Sequence, residues 1–160
     1  MATTIRRVVR ADPARVWRTF TDFGGYGRVI PLTRMSHDAG PPRVGWLFTG
    51  HTTLGPIRLD DPMRLTEFAP RGPDGGLFAV QKEGGVLGGW ARVEVRPGSE
   101  PGTSVVIWTE EIRPVRGRRL APLVGPPADL ATRVLFSRAL AGLSALAESG
   151  DAPPSTPSGR

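Results

Sequence analysis

The chain has 160 residues, 39% of them hydrophobic, and a formal charge of +6, which is enough sequence for one domain with its own core. It contains no cysteine, so disulfides and thiolate metal sites are excluded. Neither an apolar N-terminal leader nor a run of about 18 apolar residues is present, which predicts a cytoplasmic protein without membrane insertion.

The positive charge is not arranged as nucleic-acid-binding proteins usually arrange it. The basic residues are arginines except for Lys82, and they are scattered along the chain. The exception is a short cluster of Arg113, Arg116, Arg118 and Arg119. Binding to a phosphate backbone favours a contiguous basic stripe, so we expect no specific recognition of nucleic acid.

The N-terminal region predicts a strand followed by a short helix. Thr3 to Arg10 is rich in β-branched residues, as strands are. Asp12 suits a helix N-cap and Pro13 suits the first helical position, so a helix should run from there to about Phe20. Glycines then break it at Gly24, Gly25 and Gly27.

Six further strands are predicted in the middle of the chain. They are Leu32 to His37, Gly45 to Thr53, Met63 to Phe68, Gly76 to Glu83, Gly89 to Arg96 and Thr103 to Arg113. The stretches between them, including LGP and LDDP, are rich in Gly, Pro and Asp and are interpreted as turns. Such even spacing favours an antiparallel meander.

The C-terminal region changes to a helical period between about residues 127 and 148, with an apolar stripe on one side. Residues 149–160 lack apolar anchors and are predicted to be a disordered Pro/Ser-rich tail. An antiparallel sheet has a face that must be covered, and this helix is the element long enough to cover it. The predicted fold is α+β: a curved seven-stranded antiparallel sheet wrapped around a long C-terminal helix.

Several stretches in this order resemble one protein superfamily. They are ADPARVWRTFTDFGGYGRVIP, GPPRVGWLFTG, GTSVVIWTEEIRP and the C-terminal amphipathic helix. Together they resemble the SRPBCC superfamily of START-like, birch-pollen-allergen-like and polyketide cyclase/dehydrase proteins, which have a helix-grip fold. The likeness covers residues 3 to 148, so residues 1–148 are interpreted as one domain. It implies an elongated internal cavity for a hydrophobic ligand.

The best candidate for a catalytic side chain is Glu110. Alternation along VVIWTEEIRP places four residues on one strand face: Val106, Trp108, Glu110 and Ile112. Because Trp108 makes this face the more apolar one, we expect it to point inward and to carry the Glu110 carboxylate with it. Burial would raise the pKa of that carboxyl unless a partner such as Arg92 offsets it. The alternative is an Arg–Glu pair that only stabilises the sheet.

Five other side chains complete the predicted site. His51 is the second catalytic candidate. The sequence does not decide which face of the sheet His51 occupies, so a surface position is the alternative. Tyr26, Trp90 and Trp108 could bind planar rings, and Arg92 or Tyr26 could polarise an oxygen. The two histidines do not form a recognisable metal motif, so neither a metal nor a cofactor is expected.

The resemblance implies a protein that binds a small hydrophobic or aromatic, polyketide-like molecule. Cyclisation or aromatisation of that molecule is the enzymatic option, with Glu110 or His51 transferring protons. A non-catalytic carrier or sensor and a protein-interaction module are the alternatives, because fold does not settle function. The sequence leaves the ligand and the oligomeric state open.

Overall fold

The computed structural model describes residues 2–85, 87–114 and 126–150. The elements in chain order are β1 (Thr3–Val9), α1 (Pro13–Thr21), a 3₁₀ turn (Phe23–Arg28), β2 (Thr33–His37), β3 (Leu47–Leu54), β4 (Ile57–Pro70), a 3₁₀ turn (Gly72–Asp74), β5 (Gly76–Glu83), β6 (Leu87–Pro97), β7 (Ser104–Pro114) and α2 (Pro126–Ser149). Most of the predicted tail and most of the predicted arginine cluster lie outside the described residues.

The strands form one seven-stranded antiparallel sheet in the order β1-β7-β6-β5-β4-β3-β2. Strands β2 to β7 are therefore a meander, and β1 pairs with the last strand. The α1 helix and the 3₁₀ turn after it connect one edge strand to the other. This topology confirms the predicted helix-grip fold.

The C-terminal helix packs against one face of the sheet, which we call the inner face. Leu140 and Leu143 are each only 1% exposed, and they share a single core cluster with Val93 and Val106 of the sheet. The opposite, outer face carries mostly exposed polar side chains. Burial of the helix leucines against the sheet supplies the hydrophobic stabilisation of this arrangement.

The short helices close one end of the grip. The backbone carbonyl of Asp12 accepts the first helical hydrogen bond, 3.0 Å from the Val16 nitrogen. Trp17 packs against Phe68 and Phe78, with ring centroids 5.5 and 6.0 Å away. A side chain at Gly25 would place its Cβ 2.2 Å from Asp22 Oδ2, so the carboxylate that accepts from the Gly25 amide would have to move.

Strand β4 is longer than the sequence predicts. The LDDP stretch, interpreted as a turn, lies within Ile57–Pro70, and Asp60 and Asp61 pair with His51 and Gly50 of β3. Pairing between β4 and β5 begins only at Met63, so Pro62 has a strand partner on one side alone. A residue without an N–H is tolerated at such an edge position.

Candidate functional site

Three ionisable side chains from different strands point to the inner face, and we call them the inner polar cluster: Asp61 of β4, Lys82 of β5 and Glu110 of β7. Their surroundings on this face are apolar. Glu110 lies directly across from Ala91, and Lys82 shares a face of β5 with the buried Phe78 and Val80. Buried charges carry a large desolvation cost, so this position marks the candidate site.

Glu110 is 5% exposed, which confirms the predicted parity of β7. Burial raises the pKa of its carboxyl to about 7, and two favourable contacts limit the rise. The first is a hydrogen bond that the Trp108 Nε1 donates to Glu110 Oε2 over 3.2 Å. The second is the positive charge of Lys82. A carboxyl with this pKa can donate or accept a proton near neutral pH.

Lys82 and Asp61 form an ion pair beside Glu110. The Lys82 ammonium donates to Asp61 Oδ2 and lies 3.8 Å from the Met63 sulfur. The side chains are 5% and 21% exposed, respectively. Neither residue belongs to the predicted site. Lys82 alternates with Phe78 and Val80 along β5, and this alternation is the sequence signal that could have placed it on the inner face.

Two glycines lie across from this ion pair. Gly50 is paired with Asp61, and Gly89 is paired with Lys82. Gly89 has a φ of +121°, and a Cβ there would lie 1.8 Å from the Glu111 carbonyl oxygen, so this position is restricted to glycine. Glycine therefore faces Asp61 from β3 and Lys82 from β6, whereas Met63 faces Lys82 from β4.

Trp90 and Arg92 do not join Glu110, contrary to the prediction. The β6–β7 register pairs Ala91 with Glu110, which sends the side chains on either side of Ala91 to the outer face. There Trp90 Nε1 donates to Glu111 Oε2 over 3.2 Å, and Arg92 Nε lies 3.7 Å from Glu67. Arg92 therefore fits the alternative interpretation, an Arg–Glu pair that stabilises the sheet, but its partner is Glu67 and not Glu110.

His51 also lies on the outer face. This position corrects the prediction that places His51 in the same site as Glu110. Its Nδ1 is 2.7 Å from Asp60 Oδ1, and its Nε2 is 2.8 Å from the Ser36 hydroxyl. Arg58 Nε donates to the same Asp60 oxygen over 3.0 Å. The result is a polar network that connects strands β2, β3 and β4 on the side of the sheet away from α2.

Tyr26 is buried in the helix layer. Its hydroxyl donates to the Phe20 carbonyl over 2.7 Å, and its ring lies 5.7 Å from that of Phe23. Burial, with a smaller contribution from the negative charge of Asp22, raises the pKa of Tyr26 well above its usual range. The hydroxyl is thus engaged in closing the 3₁₀ turn, and a packing role accounts for Tyr26.

The raised pKa of Glu110 predicts a pH-dependent stability. The folded protein holds the Glu110 proton up to a pH of about 7, whereas the unfolded chain releases it near 4.5. Stability contributed by the protonated form is therefore complete below pH 4.5 and lost as pH rises to 7, by about 2–3 kcal/mol. Urea unfolding of Glu110→Gln between pH 4.5 and 8 should show a much smaller loss than the parent. Equal pH dependence in both proteins would contradict the assignment.

Residues 2–149 match the profile of a protein family described as "Polyketide cyclase / dehydrase and lipid transport". The chain belongs to this family. The match covers both the sheet and α2, so the family assignment applies to the whole helix grip. A comparison with curated proteins found no match.

Solved structures of other proteins share the fold of this chain. The chain is similar to the Zhui aromatase/cyclase from Streptomyces sp. R1128, with 13% identity, a TM-score of 0.70, and coverage of 92% of this chain and 93% of that one. A START superfamily protein from Mycobacterium smegmatis has 12% identity, a TM-score of 0.71, and coverage of 92% and 97%. These likenesses confirm the helix-grip fold, and the family match agrees with the predicted SRPBCC resemblance.

Membrane-spanning helices and metal-binding clusters are both absent from the part of the chain that the structure describes. Within residues 2–85, 87–114 and 126–150, no helix is long and apolar enough to cross a membrane. Over the same part of the chain, no group of three His, Asp or Glu side chains is placed to hold a metal ion.

Proposed function

We propose that the chain binds a small hydrophobic or aromatic, polyketide-like molecule between the inner face of the sheet and α2. The observation that carries the proposal is the inner polar cluster on an otherwise apolar face. Replacing a buried ion pair with apolar residues of similar volume is often neutral or stabilising. Retaining Lys82, Asp61 and Glu110 there is therefore better explained by recognition of ligand oxygen atoms than by stability.

The cluster also supports an enzymatic role in cyclisation or aromatisation. With a pKa of about 7, Glu110 can accept a proton from carbon next to a ligand carbonyl. Lys82 supplies positive charge that would stabilise the enolate oxygen formed in that step. The enolate carbon then adds to a second ligand carbonyl, and the protonated Glu110 can return its proton to the alkoxide that this addition forms. In the dehydration that follows, Glu110 would take the second proton from the same carbon and deliver it to the hydroxyl, which leaves as water as the carbon–carbon double bond forms.

A non-catalytic carrier would use the same cluster for binding alone. Glu110 separates these two roles, because a carrier does not require a group that exchanges protons near neutral pH. The Glu110→Gln variant keeps the shape of the side chain and loses its titration. A carrier would lose little affinity in this variant, whereas a cyclase would lose turnover.

Binding is tested with the uncharged fluorescent arene N-phenyl-1-naphthylamine. Ala91 is 6% exposed on the inner face and lies across from Glu110, so Ala91→Phe fills the proposed site. We expect the parent to enhance the fluorescence of the probe. Ala91→Phe should weaken binding of the probe about tenfold, because the added ring occupies part of the proposed site.

Arg92→Phe is the matched control, because it adds the same ring one residue away on the outer face. It should bind the probe as the parent does. Equal binding by both variants would place the probe elsewhere, and absence of binding by the parent would contradict the proposed function. Native mass spectrometry of the freshly purified protein should, in parallel, detect a co-purifying small molecule.

A further inference from the structure

We propose that the ligand carries a neutral hydroxyl group, a phenol or an alcohol, whose hydrogen is donated to Asp61 Oδ1. This inference rests on the proposed function and specifies the chemistry of the molecule that is bound. It is carried by a buried acceptor oxygen without a hydrogen-bond partner among the described residues, by the glycine across from Asp61 on β3, and by the charge of Lys82.

The two carboxylate oxygens of Asp61 have different environments. Oδ2 accepts from the Lys82 ammonium. Oδ1 is fully buried and has no hydrogen-bond partner among the residues that the structure describes. Most buried polar groups in folded proteins are hydrogen-bonded, because an unpaired acceptor loses its interaction with water without replacement. An incoming donor would remove this cost, so Oδ1 is the natural point of attachment for a ligand.

No side chain faces Asp61 from the neighbouring strand β3. Gly50 lies directly across from Asp61. A Cβ built at Gly50 would lie 3.6 Å from Thr33 Cγ2 and 3.7 Å from the Met35 sulfur, which are ordinary contact distances. Strand β3 therefore supplies no side-chain donor to Oδ1 at this position, and the donor is left to the ligand.

The charge of Lys82 selects the type of donor. Lys82 already compensates Asp61, so the pair is neutral overall. A ligand ammonium at Oδ1 would add a second positive charge beside Lys82, in surroundings where charge repulsion is poorly screened. A carboxylate would bring a negative charge next to Asp61 and could not donate a hydrogen bond. A neutral hydroxyl satisfies Oδ1 without either cost.

The test compares 1-naphthol with 1-methoxynaphthalene by displacement of N-phenyl-1-naphthylamine. The two compounds share their ring system, but only 1-naphthol can donate a hydrogen bond. We expect the parent protein to prefer 1-naphthol about tenfold, as expected when a buried acceptor is satisfied by one ligand and left unpaired by the other.

Asp61→Asn should abolish the preference. The amide oxygen of Asn would remain with Lys82, which leaves the NH₂ group in the place of Oδ1, and a donor there cannot accept from a phenol. Asp60→Asn is the matched control on the outer face and should keep the preference.

The possible results separate the two proposals. If the parent binds the probe and both naphthalenes equally, the hydroxyl inference is wrong and the proposed function stands. If neither the probe nor the naphthalenes bind, the proposed function itself fails. A preference that survives in Asp61→Asn would also overturn the assignment of Oδ1, because the hydroxyl would then bind another group. Thermal unfolding of each variant confirms that it is folded under the assay conditions.

Discussion

Leu143→Ala is expected to lower the free energy of unfolding by about 2–5 kcal/mol, the range for truncation of a buried leucine. Leu143 is 1% exposed and belongs to the core cluster that joins α2 to the inner face. The truncation removes apolar contacts and leaves a void, because sheet and helix cannot both close on the lost volume. Urea unfolding at a fixed pH measures the change.

Arg138→Ala, at an exposed position of the same helix, is the control for this truncation. It should change the free energy of unfolding by no more than about 0.5 kcal/mol, as surface substitutions usually do. If Leu143→Ala were equally mild, α2 would not be held by the sheet, and the site between them would lose its structural basis.

Lys82→Met should destabilise the protein by about 3–5 kcal/mol, the cost of removing one partner from a buried ion pair. Methionine has a similar length and is apolar, so packing is largely preserved while Asp61 is left without its counter-charge. The pKa of Glu110 should rise further, because the positive charge that lowers it has been removed. Chemical denaturation and a pH titration of stability measure the two effects.

The double variant Lys82→Met with Asp61→Asn separates lost charge pairing from lost packing. Removing both charges should recover a large part of the stability lost in the single variant, because no unpaired buried charge remains. A double variant as unstable as Lys82→Met alone would show that the lysine acts through packing and that the ion pair contributes little.

The element order and the fold could be predicted from the sequence because Gly and Pro mark most boundaries. The α1 start at Pro13 and the β5 bounds Gly76–Glu83 are confirmed. The β4 strand was predicted too short, since the composition of LDDP is that of a turn. Tertiary pairing with β3 holds this stretch extended, and a single sequence does not show that pairing.

The candidate site was predicted only in part, and the reason is strand parity. In β7 the aromatic Trp108 identifies the inner face correctly, and Glu110 follows it. In β6 the same reasoning fails, because the large Trp90 faces outward while the smaller Ala91 and Val93 face the core. A one-residue difference in parity exchanges every side chain between the two faces.

Asp61 was missed as a consequence of the shortened β4. A residue in a predicted turn is expected to face solvent, so the turn prediction places Asp61 away from the inner face. Lys82 is absent from the predicted site for a different reason: lysine is rarely fully buried, so its alternation with Phe78 and Val80 is a weak signal on its own. The pair becomes evident only when the register brings β4 and β5 together.

The burial of the single lysine determines how this protein would respond to amine-directed chemistry. Acylating reagents and crosslinkers that target lysine would find one side-chain amine in the native chain, enclosed at 5% exposure and engaged by Asp61. A protonated, ion-paired amine is a poor nucleophile until its pair opens. Modification of Lys82 would thus report how often its ion pair with Asp61 opens, and its protection by an added compound would measure occupancy of the site without a fluorescent probe.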